Sequence, residues 1–233
     1  MPATLLLRLS GPMQSWGTDS RFDIRDTRRE PSKSGVNGLL CAALGKPRFE
    51  VDGDGHPRLA DLAQLRMGVR IDREGKPAVD YHTAGGTHCR GEKGGVPTAS
   101  GKAGQTVQSW RHYLADADFL VGLEGERELL NRLGSAIESP VWQLCLGRKA
   151  FVPARPIHLP RRSREPNGLV ECGLEEALAR IDWPLGQTAP LRAVFEVPYG
   201  AHSDVRQDVP IDFAARRFGI RYVDVRFLER QES

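Results

Sequence analysis

At 233 residues and 25.8 kDa the chain is long enough for one substantial hydrophobic core or two small ones, and a single domain carrying an insertion is the simplest expectation. Its 39% hydrophobic and 27% charged residues are ordinary for a globular protein, and no run approaches the roughly 20 apolar residues that a membrane-spanning helix needs, which excludes that class. The net charge of +3 is modest, and the four cysteines, Cys41, Cys89, Cys145 and Cys172, form no CxxC pair, which argues against a disulfide framework and a zinc finger.

The first predicted element is a buried strand over Leu5–Leu9, ended by the turn chemistry of Gly11-Pro12. No basic region precedes this apolar run and Arg8 interrupts it, so a secretory signal is not expected and the chain is read as cytoplasmic. Further on, Pro31-Ser32-Lys33-Ser34-Gly35 leads into Val36, Leu39, Leu40, Ala43 and Leu44, an apolar face at helical spacing that stops at Gly45. Ser32 or Ser34 would cap that helix. A helix start offers unpaired N–H groups and a partial positive charge, so Lys33 between two serines suits either an ordinary cap or a phosphate seat. Between Arg21 and Lys33 five basic residues face three acidic ones, a net of +2 that fits an anion-facing loop or a solvated surface. Trp16, in a polar loop between Ser15 and Gly17, reads as a base-stacking platform or as a lid over the sheet.

A strand follows over Leu65–Asp72. Pro77–Thr83 and Gln105–Trp110 are rich in β-branched and aromatic residues and would pair around Ala84–Gly104, which holds seven glycines and only Val96 as a sizeable aliphatic. That segment is a mobile insertion or the tip of an extended hairpin. Arg90, Lys93 and Lys102 against Glu92 give the tip a net of +2, and Tyr81, Trp110 and Tyr113 would be placed to stack on splayed bases. Gly101-Lys102 is not a P-loop, because Ala103 follows the lysine and Val96 stands where the first glycine is required. His82, His88 and Cys89 lie close together but lack a fourth ligand, so no metal is expected, and no cofactor motif appears.

Ala117–Leu123 reads as a strand, Gly125–Ile137 and Gly173–Ile181 as helices and Leu191–Val197 as a strand, which makes the pattern α+β. Trp142, Phe151, Trp183 and Phe195 are assigned to the core. Charge is segregated: Asp116–Glu138 carries a net of −4, whereas Arg148–Arg164 holds Arg148, Lys149, Arg155, Arg161, Arg162 and Arg164 without an acid. Such segregation points to a polyanion-facing side, although Arg161, Arg162 and Arg164 suit an acidic partner or solvent equally.

Three blocks, Gly11-Pro12-Met13-Gln14-Ser15-Trp16-Gly17, Arg25-Asp26-Thr27 and Pro31-Ser32-Lys33-Ser34-Gly35-Val36-Asn37-Gly38-Leu39-Leu40, resemble in order, spacing and chemistry the start of the CasD family, Cascade subunits of type I-E CRISPR systems. The segments Ser109–Gly125, Pro140–Trp142 and Leu146–Pro153 resemble that family too, Asp208-Val209-Pro210 does so partly, and Lys46–Val69 does not. The resemblance implies a RAMP fold: a ferredoxin-like or RRM-like sheet with helices, a projecting β-hairpin thumb and a small C-terminal β-rich part. In this sequence that gives one domain over 1–233, a thumb near 78–110 with its tip at 84–104, and a C-terminal part near 146–233. It further implies a non-catalytic subunit that holds the 5′ handle of the CRISPR RNA (crRNA), with the Cascade large subunit and adjacent backbone subunit as partners, and with target DNA met only through the complex.

Loop position and charge select Lys33, Ser34 and the Gly35 N–H for phosphate contact, Arg25 and Arg28 for additional charge, and Gln14 and Trp16 for base edges or stacking. Ser15, Thr27, Tyr81, His82, Arg90, Lys93, Lys102, Arg111, Arg148 and Lys149 complete the candidate RNA-binding set. The competing reading is a metal-independent ribonuclease that cuts precursor CRISPR RNA, as related type I-C proteins do. It needs an acid and a base held together, for which Tyr81, His82, His88, Lys102 and His112 are the candidates.

Overall fold

The computed structural model describes residues 2–18, 23–51, 53–87, 93–94, 106–159, 168–181, 183–200 and 203–231. Arg21, His88, Cys89, Arg90, Lys102, Arg161, Arg162, Arg164 and the side chain of Lys93 lie outside the described residues.

The run Leu5–Leu9 forms the centre of strand β1 (Ala3–Ser10), every residue of which is buried. Helix α1 (Lys33–Leu44) begins where Ser32 Oγ accepts from Gly35 N and ends where Gly45 takes the left-handed conformation, φ 72°. A short helix α2 (Leu59–Gln64) leads into β4 (Arg66–Arg73). After an excursion come β9 (Asp118–Gly125), α3 (Arg127–Glu138) and the short β10 (Leu169–Val170). These strands lie in the order β10-β1-β9-β4, all antiparallel. With α1 following β1 and α3 following β9, this is the ferredoxin-like βαββαβ arrangement.

The sheet then grows outward from β4. β11 (Leu191–Val197) pairs with β4, β13 (Arg217–Leu228) with β11, and β12 (Asp204–Asp212) forms the outer edge. The last two strands make a long hairpin absent from the sequence reading: Pro210 argues against a strand, and it is tolerated here beside a register shift on an edge strand.

Alternation along the strands divides the core. Leu5, Leu7, Leu9, Val69, Phe119 and Val121 face α1 and α3, where Val36, Leu40, Leu130 and Leu133 cover them. Leu6, Leu120 and Phe195 face α4 (Leu174–Arg180), which packs through Leu174, Ala177 and Leu178. Each fully buried leucine contributes about 1.5–3 kcal/mol by leaving water. α4 sits close because Gly122 faces it: a Cβ there would lie 2.6 Å from Leu174 Cδ1. Arg8 and Arg70 are also buried on this face, bound to Asp72, while Arg70 donates to the carbonyls of Leu178 and Ile181 at the end of α4.

Phe151 and Phe195 are buried as their composition suggests, but Trp142 is 49% exposed and Trp183 is half-buried beneath the Arg70 guanidinium, 5.0 Å from its ring. Trp142 follows the end of α3 in a loop held to α1 by its backbone N–H, which donates to Ala42 O, so its ring is left at the surface.

Between β4 and β9 the chain leaves the main sheet to build a second one. β5 (Lys76–Ala84) and β8 (Val107–Ala115) pair antiparallel over nine positions, from Lys76 opposite Ala115 to Ala84 opposite Val107. Nearer the tip, β6 (Gly86–Thr87) pairs with β7 (Lys93–Gly94). On its other edge β8 takes β2 (Met13–Gln14) antiparallel and β3 (Ile24–Arg25) parallel, so the loop after β1 is woven into the inserted sheet. No helix among the described residues is long and apolar enough to cross a membrane.

Candidate nucleic-acid interface

The N-terminus of α1 binds anions, and the anions are the protein's own. Lys33 N donates to Asp208 Oδ2 at 2.8 Å, in the position that an external phosphate oxygen would take. The Lys33 ammonium, 2% exposed, sits 2.7 Å from both oxygens of Glu196. Arg221 donates two hydrogen bonds to Asp208, at 2.7 and 2.9 Å, and closes a buried group of two cations and two carboxylates. Burial lowers the Lys33 ammonium below its ordinary value, and the Glu196 carboxylate only partly restores it. For Asp208 burial acts upward, but the Arg221 hydrogen bonds and charge outweigh it and hold the carboxyl below the usual range. Ser34 is half-buried and donates to Ser32 Oγ at 3.4 Å, and a Cβ on Gly35 would lie 2.8 Å from Trp16 Cε3. The expected phosphate seat of Lys33, Ser34 and Gly35 is thus a joint between α1 and the C-terminal hairpin.

Trp16 and Gln14 are likewise withdrawn from solvent. Trp16 is 1% exposed and donates from Nε1 to Gln14 Oε1 at 3.1 Å, while Gln14, fully buried, donates to Leu9 O and Ala117 O. The lid reading of Trp16 is the one the structure realises. Ser15 is buried with its hydroxyl on His112 O, and Thr27 Oγ1 accepts from Trp16 N. Arg28 is exposed and donates to Thr18 Oγ1 at 2.9 Å. These residues shape the loop.

Arg28 apart, the described candidate cations that keep an outward position lie on the inserted sheet and in the loop after α3. Residues opposite one another across paired strands share a face, and successive residues alternate. Arg25 on β3, Arg111 on β8 and Asp80 on β5 therefore form one row straight across the sheet. His82, Ser109 and Tyr113 lie on the same side, with Arg111 Nε donating to Ser109 Oγ at 3.0 Å and His82 Nδ1 3.7 Å from Asp80. Arg148, from the loop after α3, comes up to this row: its Nη2 donates to His112 O at 2.9 Å and Arg25 O at 3.2 Å, and its guanidinium lies 5.3 Å from the Phe151 ring. Burial lowers the pKa of Arg148, Arg111 and Arg25 lower it further by repulsion, and Asp80 alone opposes them. Its Nη1 is buried without a hydrogen-bond partner among the described residues. There, three guanidiniums face one carboxylate with the exposed Lys149 next in sequence, an excess of positive charge that suits an anion.

The opposite side of the same sheet is different. Ile24, Trp110 and Tyr81 form the corresponding row, 57%, 43% and 52% exposed, and the Tyr81 and Trp110 ring centroids are 5.5 Å apart. Among the proposed acid–base residues, Tyr81 and His82 thus fall on opposite faces. Sequence reasoning overlooked Asp80, Asp208, Glu196 and Arg221. The parity of β8, which places Trp110 and Arg111 on opposite faces, was open to a strand reading extended past Trp110.

Residues 4–224 match the family model described as CRISPR-associated protein (Cas_Cas5). Over 171 residues the chain is 34% identical to the CRISPR system Cascade subunit CasD of Escherichia coli (strain K12), an alignment covering 68% of this chain and 71% of that protein. Two solved structures are similar across nearly the whole chain. One, described as a Cas protein, is 42% identical, with 97% of this chain and 95% of that one covered and a TM-score of 0.74. The other belongs to a CRISPR RNA-guided surveillance complex, at 34% identity, 97% and 90% coverage and a TM-score of 0.78.

Proposed function

The chain belongs to the CasD/Cas5 type I-E family of CRISPR-associated proteins, a Cascade subunit of the CRISPR surveillance complex, and from that premise we propose that it holds the 5′ handle of crRNA without cutting it. The observation that carries this reading is the row of Arg25 and Arg111 met by Arg148, three guanidiniums that face Asp80 as their one carboxylate among the described residues. A phosphodiester meeting the exposed Arg25 and the half-buried Arg111 would relieve the repulsion among the three guanidiniums. Two or three phosphates bound this way would release their counterions, which makes affinity fall with salt by a log–log slope of about −0.7 per phosphate for a single strand.

Non-catalytic holding is supported by the arrangement of the acid–base candidates. Cleavage through a 2′-hydroxyl requires a base and an acid within about 3 Å of the reacting oxygens. Tyr81 and His82 are divided between the two sides of the inserted sheet, which rules out that pair as acid and base of one site and leaves His112 as the candidate that shares a side with Tyr81. In this reading the Cascade large subunit and backbone subunit are the protein neighbours, target DNA is reached through the complex, and the protein works in the cytoplasm. The test is a single gel of labelled repeat RNA with the purified protein in EDTA. A shifted, uncut band is expected; site-specific cutting would overturn the reading in favour of the ribonuclease.

A further inference from the structure

We propose that the two faces of the inserted sheet have separate ligands: the arginine face meets RNA, and the face carrying Ile24, Trp110, Tyr81 and Val79 is a docking surface for an uncharged, apolar patch on a neighbouring protein subunit. The inference rests on the RNA-holding reading above and adds a partner surface to it.

The argument begins from parity. Ile24, Trp110 and Tyr81 come from three adjacent strands and stand in one row. With strands spaced about 4.8 Å apart, that row is roughly 10 Å wide. The next row on the same side is Val79 and His112, and the row beyond Trp110 toward the tip is Thr83 and Gln108. Ile24, Val79, Tyr81 and Trp110 are all 43–57% exposed, so apolar surface is presented contiguously rather than as isolated side chains. Tryptophan and tyrosine flanked by aliphatic groups are the side chains that dominate buried protein–protein contacts.

Charge decides the class of occupant. Among the described residues of this row and its neighbours on β3, β5 and β8, no lysine, arginine, aspartate or glutamate faces this side, whereas Arg25, Arg111, Arg148 and Asp80 are gathered on the other. A nucleic acid laid on the aromatic row would meet no cation among these residues, and single-strand sites pair their aromatics with a cationic groove. A protein surface without charge meets no such mismatch. Similarity to a chain that occurs within a surveillance complex gives such a neighbour a place.

The experiment separates the two faces. Wild type, Trp110→Ala, Val79→Glu and Arg148→Met are each co-expressed with the remaining Cascade subunits and crRNA, and incorporation into the particle is measured. In parallel, each isolated protein is titrated with handle RNA while tryptophan emission is followed. Incorporation of Trp110→Ala and Val79→Glu is expected to fall by about tenfold or more, with RNA affinity within about twofold of wild type. Val79→Glu changes an exposed position on a two-stranded edge, so it keeps the test available should Trp110→Ala melt early. Arg148→Met should instead weaken handle binding. Unchanged incorporation of both face variants overturns the proposal. So does a matching loss of RNA affinity together with quenching of Trp110 by RNA alone, which would make the row a base-stacking site, or concentration-dependent dimerisation abolished by Val79→Glu, which would make it a self-association surface. If wild type neither binds handle RNA nor enters the particle, the RNA-holding reading itself fails, and it does so independently of the variants.

Discussion

Two cationic regions of this molecule look alike in sequence and differ in what they have already bound. At the start of α1, Lys33 and Arg221 face Glu196 and Asp208, and the hydrogen-bond donors that an external phosphate would use are committed to those carboxylates. On the inserted sheet, Arg25, Arg111 and Arg148 face Asp80 as their one carboxylate among the described residues. Positive charge near a helix start therefore locates an anion site without saying whose anion fills it. The number of carboxylates brought in by tertiary structure separates a structural joint from a binding surface.

The comparison breaks most sharply at Arg221. Its guanidinium and the Asp208 carboxylate are 6% and 4% exposed, so Arg221→Ala leaves a buried carboxylate facing Lys33 N alone. Removing one partner of such a pair costs about 3–5 kcal/mol. At about 2–4 °C per kcal/mol for a chain of this size, the melting temperature should fall by roughly 6–20 °C, measured by calorimetry or circular dichroism. If the site is a joint, the protein that remains folded should bind handle RNA as wild type does; a selective loss of RNA affinity without a loss of stability would return the site to the RNA.

Gly35→Ala probes the same joint with a smaller expected effect. A Cβ would stand 2.8 Å from Trp16 Cε3, and the indole, 1% exposed and bonded to Gln14, has nowhere to move. Overpacking of this kind costs about 1–3 kcal/mol, partly offset by the better helix propensity of alanine, worth about 1 kcal/mol. A lower melting temperature is the expected readout; a rise would mean that the Trp16 loop yields.

These positions also show what the sequence conveys. The Leu5–Leu9 run, the helix between Ser32 and Gly45, the Gly173–Ile181 helix and the Leu191–Val197 strand were legible because hydrophobic periodicity and caps are local signals. The β12–β13 hairpin was not, since Pro210 and the buried Asp208 and Arg221 contradict the usual pattern of a strand and make sense only once Lys33 is placed beside them. For the same reason the lysine of the Ser32–Gly35 motif was read as outward-facing. Trp16 takes the buried one of its two readings, whereas Trp142, assigned to the core, is half exposed, because aromatic burial depends on what lies overhead, as Gly35 of α1 does for Trp16, and sequence spacing carries no record of that. The arginines on β3 and β8 and the arginine before Phe151 were each legible as basic, but their convergence is set by register.

Arg148→Met sharpens the other half of the comparison. It removes one candidate phosphate contact together with the Nη2 hydrogen bonds to His112 O and Arg25 O, of which His112 O keeps the Ser15 hydroxyl as a donor. Handle affinity should drop several-fold with a salt slope shallower by about 0.7, uniformly across RNA sequences, in filter-binding titrations at several salt concentrations. An unchanged slope would take the phosphates away from this cluster.

The smallest effect is in pH, and it belongs to one of the two regions only. Asp208 holds its proton less readily in the folded protein than at the ordinary aspartate value near 3.8, so its contribution is fully present above that value and is lost as pH falls through it toward the folded-state value. Acid should therefore loosen the α1 joint below about pH 4, and Asp208→Asn should flatten that limb of the stability profile while lowering stability at neutral pH. The arginine cluster has no such transition, because a guanidinium stays charged throughout the acid and neutral range even where neighbours depress it. Handle affinity per folded molecule should then be flat from about pH 5 to 8. A pronounced change in that window would place a group other than these guanidiniums in contact with the RNA.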